Sequence, residues 1–283
     1  MAGRSAPTAR RARLGAELRK LRERAGLTTT QAADLLGTSA GQLSNMEVAR
    51  FGVSADRVRV AAQAYSCTDR LLVEALVRMT GDRKRGWWEE SREILPRKLL
   101  DLAEIEHHGT RLRAAHTIHV PGLLQTVDHA REIHRQAVPG MTPPEIEHRV
   151  SFRVKRQTVL YREDAVPYSA LIHEAALRMR YGGRHVARAQ LRHLLEVSER
   201  PNVDVRVIPF SATDYPGSGQ SLYYVQGPVP TLDTVQLDQS HGPAFIDGEA
   251  QLTQYRALLD RLDAVALDTE QSRDLIDTIA KDL

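Results

Sequence analysis

A punctuated series of short apolar-periodic segments in the first eighty residues constrains this chain most. From Arg11 onward, Leu14, Leu18, Leu21 and Ala25 fall at i, i+4, i+7 and i+11, which lines one face of a helix, and Gly26 stops it. Thr28, with Gln31 three residues on, has the spacing of a capping box, and Ala32, Ala33 and Leu36 form the buried side of a second short helix that Gly37 ends. Ser39 caps a third helix with Leu43 and Met46 facing inward, which leaves Ala40, Gly41, Gln42, Ser44 and Asn45 pointing elsewhere. Ser54 starts a fourth helix (Val58, Ala61, Ala62 and Tyr65 inward) and Asp69 a fifth (Leu72, Ala75, Leu76 and Met79 inward). The expectation is a compact all-α five-helix domain over residues 10–80, preceded by a flexible basic arm over 1–9. Its second and third helices, joined by a tight glycine turn, have helix-turn-helix spacing.

Charge gives this region a partner class. The net charge of +3 hides an asymmetry: residues 1–60 carry eleven Arg and Lys against five Asp and Glu, a charge of +6, which leaves −3 for the remainder. A basic head on a slightly acidic body points to a polyanion at one end only. With 42% hydrophobic and 27% charged residues the chain has the composition of folded proteins, and 283 residues suit two domains. The single Cys67 excludes an internal disulfide framework and a multi-cysteine zinc site, and fits a cytosolic address. No run approaches the ~18 apolar residues of a membrane helix, and the basic start has no apolar segment behind it, so no secretory signal and no membrane partner are expected. An aromatic content of 5% argues against a platform for stacked single-stranded bases.

The segment Gly81–Gly86 sets a basic cluster between two glycines and is placed as a linker. Beyond it, residues 87–283 read as a second domain. Helical patches at about 86–107, 122–137 and 143–161 flank a short extended piece near Leu112–Val120. Strand-like runs follow at Tyr168–Ile172, Val203–Pro209, Ser221–Gln226, Thr231–Leu237 and Ala244–Ile246, with helices at His185–Glu199, Glu249–Val265 and Thr269–Lys281. Turns at Pro216–Gly219 and Gly227-Pro228 separate strands by too little chain for crossover helices. The second domain is therefore expected to be α+β with a mostly antiparallel sheet.

The run Leu18–Arg50 resembles the helix-turn-helix of the Cro/repressor-like (XRE) DNA-binding family. The resemblance rests on its L-R-x-L-R-x-x-x-G-L-T opening, on Ala33 and Gly37 at the tight turn, on Ser39 at the third-helix cap, and on Leu43, Met46 and Glu47 toward its end. Thr29 stands where the family commonly has Gln, and Ala40-Gly41 is bare where many relatives carry Arg or Lys. A groove-seated helix needs short polar residues at its front, and amides are the bidentate partners of adenine, so Ala40, Gly41, Gln42 and Asn45 are the candidate base-facing positions. Thr29, Ser39 and Ser44 are candidate phosphate donors, and Arg10, Arg11, Arg13 and Arg50 candidate counterion-releasing contacts. A protein-docking bundle with a merely solvated basic face is the alternative.

The remainder resembles the C-terminal region of the WhiJ-like or Scr-type antitoxin-like transcriptional regulators, in the strings RGWW (Arg85–Trp88), VPGLLQT (Val120–Thr126), Glu147 to Gln157, AQLRHLLE (Ala189–Glu196), RPNVDVRVIPF (Arg200–Phe210) and QYRALLDRLDAVAL (Gln254–Leu267). The resemblance implies a transcription factor with a sensor or partner-binding domain, a small protein partner encoded nearby, and no catalytic activity. The residues agree with the last point. His173-Glu174 opens like H-E-x-x-H, but Leu177 stands at the second ligand position. The six histidines from His107 to His134 have no acids or thiols in ligand spacing, so no metal and no cofactor is expected. Pro216–Ser221 lacks the lysine of a phosphate loop and reads as a hairpin loop. Trp87 and Trp88 pack between domains or line a ligand pocket. Glu147, Arg149, Arg153 and Arg156 are ion-paired structure or a site for a ligand or partner. The expected function is thus a sequence-specific regulator, homodimeric on duplex operator DNA in the cytoplasm and nucleoid, whose second domain receives a signal. The alternative is an antitoxin-like protein that chiefly holds its small partner.

Overall fold

The computed structural model describes residues 7–80, 86–217, 220–239 and 242–283. The chain divides into two compact units, one ending at Glu90 and one beginning at Ser91. The proposed linker apart from Gly86, most of the 1–9 arm and part of the Pro216–Ser221 loop lie outside the described residues.

The first unit is built of helices α1 (Ala9–Arg24), α2 (Thr29–Leu35), α3 (Ala40–Glu47), α4 (Ala55–Ala64) and α5 (Arg70–Arg78). Each begins on a side-chain cap: Thr8, Thr28, Ser39, Ser54 and Asp69 accept from the backbone N–H three residues on, and Thr28 and Gln31 form the full capping box. Because Thr8 is such a cap, α1 starts at Ala9, inside the stretch expected to be a flexible arm. The first four helices also end alike, on a residue of left-handed φ: Gly26, Gly37, Ala49 and Ser66. After each, the next N–H reaches back five residues, as in Arg50 N to Asn45 O at 2.8 Å and Cys67 N to Ala62 O at 2.9 Å, the paired closure of a Schellman turn. The expected apolar positions are buried in all five helices, except that Ala25 is exposed and Met79 and Met46 are half-exposed. In α3 the second inward residue is Glu47 instead of Met46. Gly15 lets α1 lie close to the end of α3, since a Cβ there would stand 2.8 Å from Met46 O.

The second unit carries a six-stranded sheet of order β3-β2-β1-β4-β5-β6, comprising β1 (Arg111–His116), β2 (Tyr168–His173), β3 (Val203–Ile208), β4 (Leu222–Gln226), β5 (Thr234–Leu237) and β6 (Ala244–Ile246). It is an α+β unit, and its sheet is mixed. The expected antiparallel pairing holds for β1-β4, β4-β5 and β5-β6, where the connections are short. The β3-β2-β1 edge is parallel. There the chain has room to cross over, through α7 (Val127–Arg135) and α8 (Pro143–Gln157) between β1 and β2, and through α9 (Glu174–Arg178) and α10 (Gly183–Val197) between β2 and β3.

Strand periodicity sorts side chains to two cores. Leu112, Ala114, Tyr168, Ala170, Ile172, Val205 and Tyr223 face one, with Leu191 and Leu194 of α10 and Ile276 and Ile279 of α12 (Thr269–Asp282). Ala115, Leu171, Leu222, Tyr224 and Val235 face the other, against Leu252, Leu259 and Leu262 of α11 (Glu249–Ala264). Helices on both faces explain why β2 is buried without a break from Tyr168 to Ile172. The helical patch expected at 86–107 is split into a 3-10 turn, Trp87–Ser91, and α6 (Arg97–His108), because Pro96 restarts the helix. Likewise Thr126 caps α7 and detaches it from a 3-10 turn at Gly122–Leu124.

Candidate nucleic-acid interface

Helix α3 packs against α1 and α2, and its polar front is left outside. Leu43 is fully buried, and Glu47 reaches under the helix to the guanidinium of Arg22 on α1, with Nε–Oε1 at 2.6 Å and Nη2–Oε2 at 3.0 Å. Arg22 Nη1 also donates to the carbonyl of Leu27, just ahead of the α2 cap, at 2.8 Å. One side chain therefore ties α1, the entry to α2 and the end of α3 together. The hydrogen bond to Glu47 raises the Arg22 pKa above its ordinary value, so the guanidinium stays charged. Periodicity had no means to find this clamp, because both residues are polar and stand 25 apart; Glu47 had entered only through its place in the family pattern.

The exposed face of α3 presents Gly41, Gln42 and Ser44, with Ser39 at the cap and Ala40 and Asn45 half-exposed. Ser39 is held by the Gln42 N–H at 3.1 Å. The Gln42 amide oxygen accepts from the Thr38 hydroxyl at 2.5 Å, which leaves its two N–H groups and a further lone pair outward. Asn45 Oδ1 accepts from Arg50 Nη1 at 3.3 Å, so its amide is oriented with N–H donors free. The bare Ala40-Gly41 start leaves both amides unobstructed: a Cβ at Gly41 would meet nothing within 4 Å.

The four candidate arginines part company. Arg11 is exposed and reaches toward the loop after α3, its Nη2 lying 3.9 Å from where a Gly52 Cβ would stand; Arg50 is exposed in the same loop. Arg10 donates to the last carbonyl turn of α5, at Arg78 O, 3.1 Å. Arg13 pairs with Glu17 at 2.9 Å, and its side chain is 10% exposed. The outward cations at this face are thus Arg11 and Arg50, while Arg10 ties α1 to the end of α5 and Arg13 pairs within α1. Thr29, half-exposed, stands in the first turn of α2.

The residues grouped as possible ligand or partner contacts are scattered: Trp87 and Trp88 fall at the end of the first unit, not in the second as expected, and Glu147, Arg149, Arg153 and Arg156 lie in the second unit. Trp88 is buried and Trp87 half-buried, edge to face at 5.9 Å. Glu147 pairs with Arg131 at 2.6 Å, and Arg149 is half-exposed on α8. Arg156 forms a buried bidentate pair with Glu106, at 2.6 and 2.8 Å. Arg153, one turn away, donates to the Gln125 amide oxygen and faces a cavity. Glu174, of the rejected H-E-x-x-H string, accepts from Phe210 N at 2.8 Å and pairs with Arg178. Among the described residues no three His, Cys, Asp or Glu side chains gather as a metal ion would require. Nor is any described helix long and apolar enough to cross a membrane.

Residues 13–76 match a helix-turn-helix domain family, which makes the first unit a helix-turn-helix domain of the kind DNA-binding regulators carry. Residues 99–278 match a family described as a domain of unknown function (DUF5753). No curated protein and no solved structure matches the chain. Since the second match spans more than half of the sequence, the chain belongs to the DUF5753 family, with a helix-turn-helix domain ahead of the family's region.

Proposed function

We propose that this chain is a sequence-specific transcriptional regulator of the XRE type, allied to the WhiJ-like or Scr-type antitoxin-like regulators. It binds duplex operator DNA as a homodimer in the cytoplasm and catalyses no reaction. The observation that carries the reading is the pair of outward amides, Gln42 and Asn45, on a short helix whose underside is fixed by the buried Arg22–Glu47 clamp. A rigid α3 brings both amides to base edges in the major groove, where Gln and Asn make paired hydrogen bonds to adenine. Arg11 and Arg50, beside the loop after α3, sit on the flanking phosphates, joined by the hydroxyls of Ser39, Ser44 and Thr29. The DUF5753 unit receives a small-molecule or protein signal and shifts the population of DNA-bound chain.

Selection of random-sequence duplexes by the full-length protein tests this. The expected product is a two-fold related motif with adenines at positions that depend on Gln42 and Asn45. Enrichment without a common motif contradicts the reading.

A further inference from the structure

In the DUF5753 unit, α8 and the segment after β1 enclose a cavity of about 260 Å³ against the sheet. It sits over β1, β4 and β5, where the parallel and antiparallel parts of the sheet meet. Its wall is divided. Leu99, Leu102, Leu123 and Ile133 make an apolar side, and Arg153, Tyr168, His116 and Gln236 a polar one.

The two arginines on the polar side are partnered differently. The buried Arg156 is neutralised by Glu106, two oxygens to two nitrogens. Arg153 has no such partner: among the described residues no carboxylate comes within ion-pair distance, and its hydrogen bond goes to the neutral amide of Gln125. Burial, with Arg156 and Arg149 close by, outweighs the longer-range pull of Asp238 and Glu106 and lowers its pKa to about 10, so it still carries its charge at neutral pH. A guanidinium drawn half out of water, as Arg153 is, is costly unless something anionic meets it. Tyr168, which lines the same cavity, is 2% exposed, and its hydroxyl has no hydrogen-bond partner among the described residues. A half-buried cation without an ion-pair partner and a buried donor without an acceptor thus line the same space.

The geometry points to a binding site for a small organic monocarboxylate: the carboxylate pairs with Arg153 and accepts from Tyr168, and the apolar part of the ligand lies on Leu99, Leu102, Leu123 and Ile133. One negative charge fits, because Arg153 is the lining guanidinium with no carboxylate within ion-pair distance among the described residues. Asp238 on the cavity wall, which accepts from Gln236 Nε2 at 2.6 Å, opposes a dianion such as a phosphate monoester. The volume is below the roughly 300–1,000 Å³ of drug-sized sites and suits a metabolite with a single ring or a short chain. That this ligand is the signal rests on the regulator reading above; that it binds does not.

Titration calorimetry on the full-length protein without DNA, with benzoate, phenylacetate and hexanoate as probes and benzamide and inorganic phosphate as controls, tests the assignment. Saturable binding of at least one carboxylate is expected, with benzamide and phosphate at least about tenfold weaker. Arg153→Gln is expected to abolish carboxylate binding. Tyr168→Phe, which removes only the unpartnered hydroxyl and keeps the ring in the core, is expected to retain the thermal midpoint and weaken binding about fivefold or more. No saturable carboxylate binding up to about 10 mM, equal binding of benzamide, or unchanged affinity in a folded Tyr168→Phe protein each overturns the assignment. Because no DNA is present, such a failure leaves the operator reading standing, and a failure of operator binding leaves this site standing.

Discussion

Arg22 on α1 and Glu47 on α3 form a two-oxygen, two-nitrogen ion pair inside the helix-turn-helix domain, with side chains 7% and 6% exposed. The pair fixes the angle at which α3 is offered to a groove. It also accounts for α3 burying a carboxylate where an apolar residue was expected.

Breaking one half of this clamp leaves a buried charge. Glu47→Ala is expected to destabilise the helix-turn-helix domain by about 3–5 kcal/mol. A doubly apolar replacement, Arg22→Met with Glu47→Leu, recovers most of that loss. Urea unfolding of the full chain, followed by a probe in the first domain, measures both. A Glu47→Ala protein as stable as wild type refutes the structural role given to the clamp.

The C-terminal turns of α1 and α2 give a second expectation. Gly26 and Gly37 have left-handed φ, and an added Cβ would touch nothing within 4 Å at either. Alanine there carries a backbone cost without a steric one, about 1 kcal/mol each. Gly15→Ala is different: it drives a methyl into the backbone of α3 and is expected to cost about 1–3 kcal/mol through overpacking. Thermal midpoints of the three variants should rank accordingly.

At the DNA face, Gln42 and Arg11 are expected to fail in different ways. Gln42→Ala loses about 1–3 kcal/mol of discrimination at one base position and little elsewhere. Arg11→Ala weakens binding to all sequences alike and lowers the slope of log affinity against log salt by about one. Competition binding over single-base variants of the selected motif separates the two. Unchanged discrimination in Gln42→Ala places the groove-facing side elsewhere on α3.

Acid should destabilise the DUF5753 unit. Burial lowers the pKa of His116 to about 4, with His119 adding to the effect, and it lowers His129 to about 4 and His134 to about 3, with Arg153 adding in both. These rings stay neutral in the folded state while the unfolded chain takes up protons near pH 6.5. Stability is therefore full above pH 6.5 and falls as pH drops from 6.5 toward 4, by about 1.4 kcal/mol for each unit by which a pKa is shifted. His134→Gln should flatten the decline, and denaturant midpoints between pH 7 and 4.5 check it.

The parts legible in the sequence were those written in local code. Thr28, Ser39, Ser54 and Asp69 announce their helices because a cap acts within three residues, and Gly26 and Gly37 announce the turns because glycine favours left-handed φ. Ala49 and Ser66 adopt the same turn without a glycine to mark it. The parallel β3-β2-β1 edge was hidden because strand pairing joins residues as far apart as Leu112 and Tyr168, and the expectation had been drawn from the short turns near β4. Of the DNA-face residues, Gln42 and Asn45 are outward as expected, whereas the partners of Arg10 and Arg13 belong to tertiary structure or helix neighbours that composition does not reveal. In the sequence Arg153 stands out only for its place on a helical face; that it lacks a carboxylate partner becomes visible once Glu106 is seen to be spent on Arg156.

The most direct test of the central claim is fluorescence anisotropy of the full-length protein on its selected duplex and on a scrambled duplex of equal length, across salt concentrations from about 50 to 200 mM. The account predicts that both affinities fall steeply with salt while the selected duplex stays at least about a thousandfold tighter throughout. Equal affinity for the two duplexes, or no binding to either at low salt, contradicts it.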